Sequence, residues 1–297
     1  MKHKLCCIGF ISSDKVVTPQ KTVCMPGGTS FYVSHAINNF DDIDYALITA
    51  VGESERHVPE GMKAQGMNVT ILPSRHTVVF ENIYGKNPDE RKQRVLAKAD
   101  PFTLEQLKEA EGEIFHLGTL LMDDFSPDIL KYLSSKGKVS IDAQGYLREV
   151  HNTNVYATDW LDKLEALRYV HFLKADKHEA EILTGHKDAS SAAIQLYEWG
   201  VKEVLLTFGS MGSLIYDGDR FYSIPAYPPR QIVDTTGCGD TYVAGYLYKR
   251  VQDAPVEEAA CFAAALATLK IENYGPVKAC MNDVMQVIEQ NRVFCVR

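Results

Sequence analysis

The constraint that bears hardest on this chain is a repeated alternation of short, continuous apolar runs with stretches of helical spacing. LCCIGFI (5–11), YALITAVG (45–52), EIFHLGTLL (113–121), KVSIDA (138–143), YVHFLKA (169–175), EVLLTFG (203–209) and GSLIYDG (212–218) read as strands. Most are apolar at consecutive rather than alternate positions, as in a sheet covered on both faces. SFYVSHAINNF, LEQLKEA, DILKYLSSKG, EAEILTG and SAAIQLYEWG fall between them with helical patterns, and the last three close on glycine at a C′ position. Strands alternating with helices predict a parallel α/β sheet.

Two segments in the N-terminal third break the rhythm. Residues 15–28 and 76–99 are β-branched, alternating and polar on one side, with NPDE (87–90) as the turn inside the second. They read as a small β lid formed by insertions at about 15–26 and 76–99. No Ser/Gly linker, repeat or low-complexity stretch separates them, so residues 1–297 read as one domain carrying that lid.

Composition narrows the classes of function. At 45% apolar residues the chain is not a disordered one. The net charge is −8 and no Lys/Arg block tracks a nucleic-acid backbone, although ERKQR (90–94) is locally basic. No apolar run reaches the ~18 residues of a membrane span. The basic head and short apolar run of MKHKLCCIGFI imitate a leader peptide, but no small-residue cleavage site follows, and the run reads as the first buried strand. The seven cysteines are odd in number and lack CxxC spacing, which points to reduced thiols in a cytoplasmic protein.

The most informative stretch is VDTTGCGDTYVAGYLYKR (233–250). Tyr242, Val243, Tyr246, Leu247 and Val251 continue it with helical spacing, which puts Gly237, Cys238 and Gly239 at a helix N-terminus. Two glycines there let successive N–H groups turn outward, and the helix dipole adds to an anion site. A carboxylate in the same turn, Asp240, repels a bound anion. It makes sense as a base facing a hydroxyl that attacks a phosphoryl group. Alone, a Gly turn followed by Asp reads more readily as an N-cap than as a base. No Walker loop, HExxH, GxSxG or full GxGxxG occurs, and of the scattered histidines only His178, read as an exposed helix residue, falls near these motifs.

DTTGCGD resembles the DTxGAGD signature of PfkB-family carbohydrate kinases, with Cys238 in place of Ala. The resemblance implies a ribokinase-like three-layer α/β/α sandwich, mainly parallel, under a small β lid. It implies an ATP- and Mg²⁺-using kinase with Asp240 as catalytic base and Gly237, Cys238 and Gly239 as the anion hole. Asp234 and Thr236 match positions that, in several members, bind a monovalent cation such as K⁺. IGFISSD is similar to the family's first strand and its substrate-binding Asp, here Asp14; without the family that residue reads equally as a turn Asp. PGGTSFYVSHA resembles the N-terminal GG signature, so Gly27 and Gly28 approach the substrate. Tyr32 replaces the usual Asn, either to stack on a ring or to pack in the core.

LKADKHEAEILTG resembles the NxxE segment, with Asp176 and Glu179 holding Mg²⁺ through water; the same spacing is a capping box. LLTFGSMGS is similar to the nucleotide-binding strand and turn, which places Thr207, Gly209 and Gly212 near the donor. The Ala-rich helix PVEEAACFAAALATLKI puts Ala264 at the adenine slot, with Asn273 in the loop that closes it. The acceptor expected is a sugar or polyol. A nucleoside kinase is the runner-up and needs an aromatic platform, for which Phe31, Tyr32 or Tyr84 qualify. A non-catalytic sugar- or nucleotide-binding regulator is the third reading, against which the intact Asp240 stands. The exposed lid strands predict a homodimer through the lid.

Overall fold

The structure is a computed structural model that describes residues 2–18, 22–84 and 91–291. Numbered in chain order, these residues form fifteen strands in two sheets, and ten helices. The central sheet holds β1 (Leu5–Gly9), β4 (Tyr45–Val51), β5 (Val69–Pro73), β8 (Ile114–Gly118), β9 (Lys138–Asp142), β12 (Phe172–Asp176), β13 (Glu203–Thr207), β14 (Ser213–Tyr216) and β15 (Phe221–Ile224). Its order is β15-β14-β13-β12-β9-β8-β1-β4-β5, parallel except for the antiparallel edge of β14 and β15.

The helices are α1 (Thr29–Ile37), α2 (His57–Ala64), α3 (Leu104–Leu107), α4 (Pro127–Ser134), α5 (Lys163–Ala166), α6 (Lys177–Thr184), α7 (Ala189–Glu198), α8 (Cys238–Arg250), α9 (Val256–Ile271) and α10 (Met281–Gln290). They make the two outer layers. Leu5 and Cys7 of β1 pack into one core with α1, α8 and α9, while Cys6 and Ile8 pack into the other with α4, α6 and α7. Both faces are buried, which is why these strands read as apolar runs rather than alternating.

The lid is a six-stranded sheet of β2 (Ser12–Val17), β3 (Thr22–Gly27), β6 (Val78–Tyr84), β7 (Arg91–Ala97), β10 (Arg148–His151) and β11 (Asn154–Ala157), in the order β10-β11-β7-β6-β2-β3. Its strands follow β1, β5 and β9 in sequence, so it grows from the carboxyl ends of the central strands. The β10–β11 hairpin has no counterpart in the lid segments read from sequence. Its turn residues Asn152 and Thr153 take φ of 47° and 71°, and the Thr153 carbonyl accepts from the Val95 amide (2.8 Å), tying the hairpin to β7. The expected turn at 87–90 lies outside the described residues. Among those described, no helix is long and apolar enough to cross a membrane.

The chain runs outward from β1 to β4 and β5, then returns and runs the other way from β8 to β15. Open parallel sheets bind ligands at such a reversal, outside the carboxyl ends of the strands. One anchor holds the far end of α8 to the amino end of β13, which fixes the direction in which the helix start points. Glu203 of β13, 5% exposed, accepts from the Tyr246 hydroxyl and from Arg250 Nε (3.0 Å), both on α8. Replacing Glu203 by Ala leaves the Arg250 charge without its partner, and urea unfolding is expected to show a loss of roughly 3 kcal/mol; a loss below about 0.5 kcal/mol would remove this anchor from the account.

Candidate functional site

Two helix N-termini meet over the reversal point. α8 starts at Gly237, whose φ of 77° is left-handed. A Cβ there would fall 2.3 Å from Cδ1 of Tyr32, so only glycine fits. The helix's own hydrogen bonds begin with the Thr241 amide on the Gly237 carbonyl (2.9 Å), and the Cys238 amide is turned back to the Thr235 carbonyl (3.2 Å). The first-turn amides of Gly239 and Asp240 therefore have no partner within the helix. Of the three residues expected to face an anion, Gly237, Cys238 and Gly239, Cys238 has its amide already engaged. The Cys238 thiol lies 4.0 Å from the Asp234 and Ala267 carbonyls, and burial pushes it up to about 11. It is an inert, small side chain.

α1 starts at Gly28 (φ 90°), and its first residue, Thr29, gives a side-chain hydrogen bond to the Asp240 carboxylate. Asp240 keeps part of its surface open. Burial pushes its carboxyl up to about 6, and the charge of Asp142 adds to this; Lys174, Thr29 and Arg148 pull the other way. Lys174 donates to Asp142 Oδ2 (2.9 Å) in a buried pair set by the pairing of β12 with β9. Its Nζ lies 3.2 Å from where a Cβ on Gly239 would sit. A buried ammonium thus stands beside the α8 N-terminus and adds to its positive field.

Lys174, Asp142, Thr29 and Arg148 were not picked out from the sequence. A lysine inside the apolar run YVHFLKA is a signal, because buried lysines are rare unless paired. Arg148 left no local signal.

The lid supplies the other wall. Ser12 Oγ donates to Asp14 Oδ1 (2.7 Å), and a Cβ on Gly27 would fall 2.4 Å from Asp14 Oδ2, so the glycine makes room for that carboxylate. Asp14 pairs in register with Phe80, and Asn82 follows two residues on, on the same face. Asn82 is the cross-strand partner of Gln93, whose Nε2 donates to its Oδ1 (2.9 Å). Arg148 sits 5.8 Å from the Phe80 ring centroid, and its charge reaches Asp240. These side chains share one face of the lid, which Arg148 links to Asp240. Lys15, Glu81 and Arg94 form an ion-pair cluster on the opposite face, with Glu81 held at 2.9 and 3.1 Å.

Tyr32 departs from the expected substrate contact. It is 2% exposed and its ring packs on Gly237, so it supports the turn from the core side. Phe31, 9% exposed, is core as well, and the Tyr84 side chain lies outside the described residues.

Asp176 and Glu179 form a complete capping box at the start of α6: Asp176 Oδ1 accepts from the Glu179 amide (2.8 Å) and Glu179 Oε2 from the Asp176 amide (2.7 Å). Asp176 pairs in register with Thr207 at the ends of β12 and β13. Burial pushes the Glu179 carboxyl up to about 7, against the pull of Lys174 and with the charges of Asp142 and Asp176. This excess of acid around one lysine fits a hydrated divalent cation, whereas no cluster that binds a metal directly exists among the described residues.

Gly209 (φ 58°) and Gly212 (φ 94°) shape the turn after β13. Ala264 is 8% exposed on α9, and its carbonyl accepts from the Thr268 hydroxyl (2.9 Å). Asn273 spends its side-chain amide on the Leu269 carbonyl (3.2 Å). Asp234 Oδ1 accepts from the Thr236 amide (2.9 Å), while its other oxygen faces the ammonium of Lys270 (3.2 Å). A separate cavity of about 520 Å³, lined by residues that include Lys2, Lys138 and Lys202, holds none of the motif residues.

The family model described as "pfkB family carbohydrate kinase" matches residues 3–283. A cytidine kinase of Thermococcus kodakarensis is 29% identical over 264 residues, covering 84% of this chain and 90% of that protein. A pyrophosphate-dependent kinase of the ribokinase family, solved with a pyrophosphate analog and myo-inositol, superposes with a TM-score of 0.83 at 29% identity over 95% of this chain and 99% of that one. Ribokinase of Arabidopsis thaliana, solved with ribose and ATP, shares the fold with a TM-score of 0.76 at 20% identity, over 97% of this chain and 99% of that one. With a match across nearly its whole length and kinases on every side, the chain belongs to the pfkB family of carbohydrate kinases, phosphotransferases with a hydroxyl acceptor.

Proposed function

We propose that this kinase transfers the γ-phosphoryl group of ATP to a hydroxyl of a small sugar or polyol, with Asp240 as general base. The observation that carries this is the carboxylate itself. It stands in the first turn of α8, beside amides that face the same space, with its pKa raised to about 6. At neutral pH such a group is mostly ionised yet more basic than an ordinary aspartate, which suits proton abstraction. The acceptor hydroxyl gives its proton to Asp240 as the oxygen attacks phosphorus. The Gly239 and Asp240 amides, with Lys174, neutralise charge on the transferring group. A magnesium ion carried by the donor and held through water near Asp176 and Glu179 supplies further neutralisation when bound.

The acceptor lies against Asp14, Asn82, Gln93 and Arg148, under the lid, which excludes water as a competing nucleophile. This wall is rich in hydrogen-bonding groups and has no exposed aromatic face among the described side chains, which favours a polyhydroxylated ring over a nucleobase. Thr207, Gly209, Gly212, Ala264 and Asn273 take the nucleotide side. The solved relative bound to a pyrophosphate analog makes pyrophosphate the rival donor, and the cytidine kinase keeps a nucleoside as the rival acceptor. The six free cysteines among the described residues fit a reducing compartment, and we place the enzyme in the cytoplasm. The outer strand β3, with Val23 38% exposed, offers the edge for a lid-to-lid homodimer.

A matrix of ATP or pyrophosphate against sugars, polyols and nucleosides, read by product formation, is expected to give its highest kcat/KM with ATP and a sugar or polyol. Turnover with pyrophosphate alone, or with nucleosides alone, would replace that part of the reading. Asp240→Asn is expected to lower kcat by about 10²- to 10⁴-fold with donor affinity within threefold of wild type; near-wild-type turnover would remove the base.

The wild-type kcat/KM should be level near pH 8 and fall about tenfold per pH unit below about pH 6 as Asp240 takes up a proton. Stability has the opposite sign. The folded pKa is raised, so ionised Asp240 costs stability above about pH 6, and the cost fades as pH falls from about 6 toward 4. At pH 7.5 the Asp240→Asn protein should therefore melt higher than wild type, and a lower melting temperature would contradict the strained carboxylate.

A further inference from the structure

Lys270, in the last turn of α9, is wholly buried. Its Nζ lies 2.9 Å from the carbonyl oxygen of Asp234, 3.2 Å from Asp234 Oδ2 and 3.2 Å from the carbonyl oxygen of Asn273. A lysine ammonium has three donors and no acceptor, and here three oxygens are within reach. Two of those oxygens are main-chain carbonyls from separate loops, a donor set as suited to a bare monovalent cation as to an ammonium.

The monovalent cation expected at Asp234 and Thr236 does not fit these residues. A covalently tethered positive charge already stands among the oxygens. The remaining Asp234 oxygen accepts from the Thr236 amide (2.9 Å), and Oδ2 also accepts from the Gly275 amide (3.3 Å). A second cation at contact distance would meet like-charge repulsion from the buried ammonium.

We infer that Lys270 is the resident cation of this kinase, a positioning residue that holds the anion-binding turn and makes its activity independent of K⁺. The contacts run from the ammonium to the turn without a gap. The Val233 and Asp234 amides both donate to the Ile271 carbonyl (2.9 and 3.2 Å), which clamps the loop to the end of α9 beside Lys270. Asp234, fixed by Lys270, holds the Thr236 amide next to Gly237. The Cys238 thiol fills the space between the Asp234 and Ala267 carbonyls, and the Lys270 charge acts on it. Without the ammonium, the Asp234 carboxylate would face two carbonyl oxygens with no cation between them, and the loop that ends at Gly237 would shift. The inference deepens the proposed phosphotransfer reading and rests on it for its kinetic arm only.

The test compares wild type with Lys270→Ala and Lys270→Met at one ionic strength, with K⁺, Na⁺, Li⁺ or tetramethylammonium as the only monovalent cation. Wild-type rates are expected to agree within twofold across the series; activation by K⁺ of tenfold or more would overturn the proposal. Lys270→Ala should lose at least tenfold in tetramethylammonium and regain activity in K⁺ or ethylammonium, neither of which should stimulate wild type. A folded Lys270→Ala that keeps full activity in tetramethylammonium would overturn the positioning role.

Melting supplies a readout that needs no phosphotransfer. The variant's melting temperature should rise with K⁺ through binding to the folded state, and the wild type's should not. A K⁺-dependent rise in wild type contradicts the inference even if the proposed reaction fails. Lys270→Met, which keeps most of the apolar stem, takes the same measurements if Lys270→Ala does not fold, and the wild-type salt series decides on its own.

Discussion

Acidic groups crowd the carboxyl end of this sheet, and a few fixed positive charges hold them there. Asp142, Glu179 and Asp240 gather around the ammonium of Lys174, with Asp176 beside Glu179, and burial raises the carboxyls of Glu179 and Asp240 rather than relieving them. The positive ends of α1 and α8 supply the rest of the balance through backbone amides, which no titration removes. This balance makes Asp240 both ionised and basic at neutral pH. Removing Lys174 would unbalance the cluster far more than removing an exposed charge, because a buried carboxylate without a partner is costly.

The fold delivers these groups by register rather than by proximity in sequence. Lys174 meets Asp142 because β12 pairs with β9, and Asp176 meets Thr207 because β12 pairs with β13. The lid is tied to the same end of the sheet, since its strands follow β1, β5 and β9. Asp14 from β2 and Arg148 from β10 are thereby carried toward the start of α8, with the Lys15–Glu81–Arg94 cluster bracing the lid's other face. Lys270 plays a comparable part at the end of α9, joining two loops through their carbonyls.

Much of this was legible in the residues, for identifiable reasons. The seven apolar runs were read as strands because burial on both faces leaves no polar alternation to confuse them. The missed edge strands β5 and β15 are short and partly exposed, which weakens the apolar signal. The β10–β11 hairpin is polar, and its left-handed turn at Asn152 and Thr153 lacks the glycine that marks such turns. Asp240 was legible because a glycine turn, a helix start and a carboxylate coincide within four residues. Tyr32 was ambiguous in sequence, and only the closeness of its ring to Gly237 shows that it supports the turn from below. Lys174, Arg148 and Lys270 drew no attention because Asp142, Phe80 and Asp234, which they meet, lie 32 or more residues away in sequence.

The most direct test of the central claim is the structure of the enzyme with ADP, aluminium fluoride and the best acceptor of the substrate matrix. The fluoroaluminate is predicted to sit against the Gly239 and Asp240 amides, with the acceptor oxygen in line and within roughly 2.6–3.2 Å of the Asp240 carboxylate. A transferring group bound away from the start of α8, or an acceptor oxygen beyond the reach of Asp240, would contradict the account.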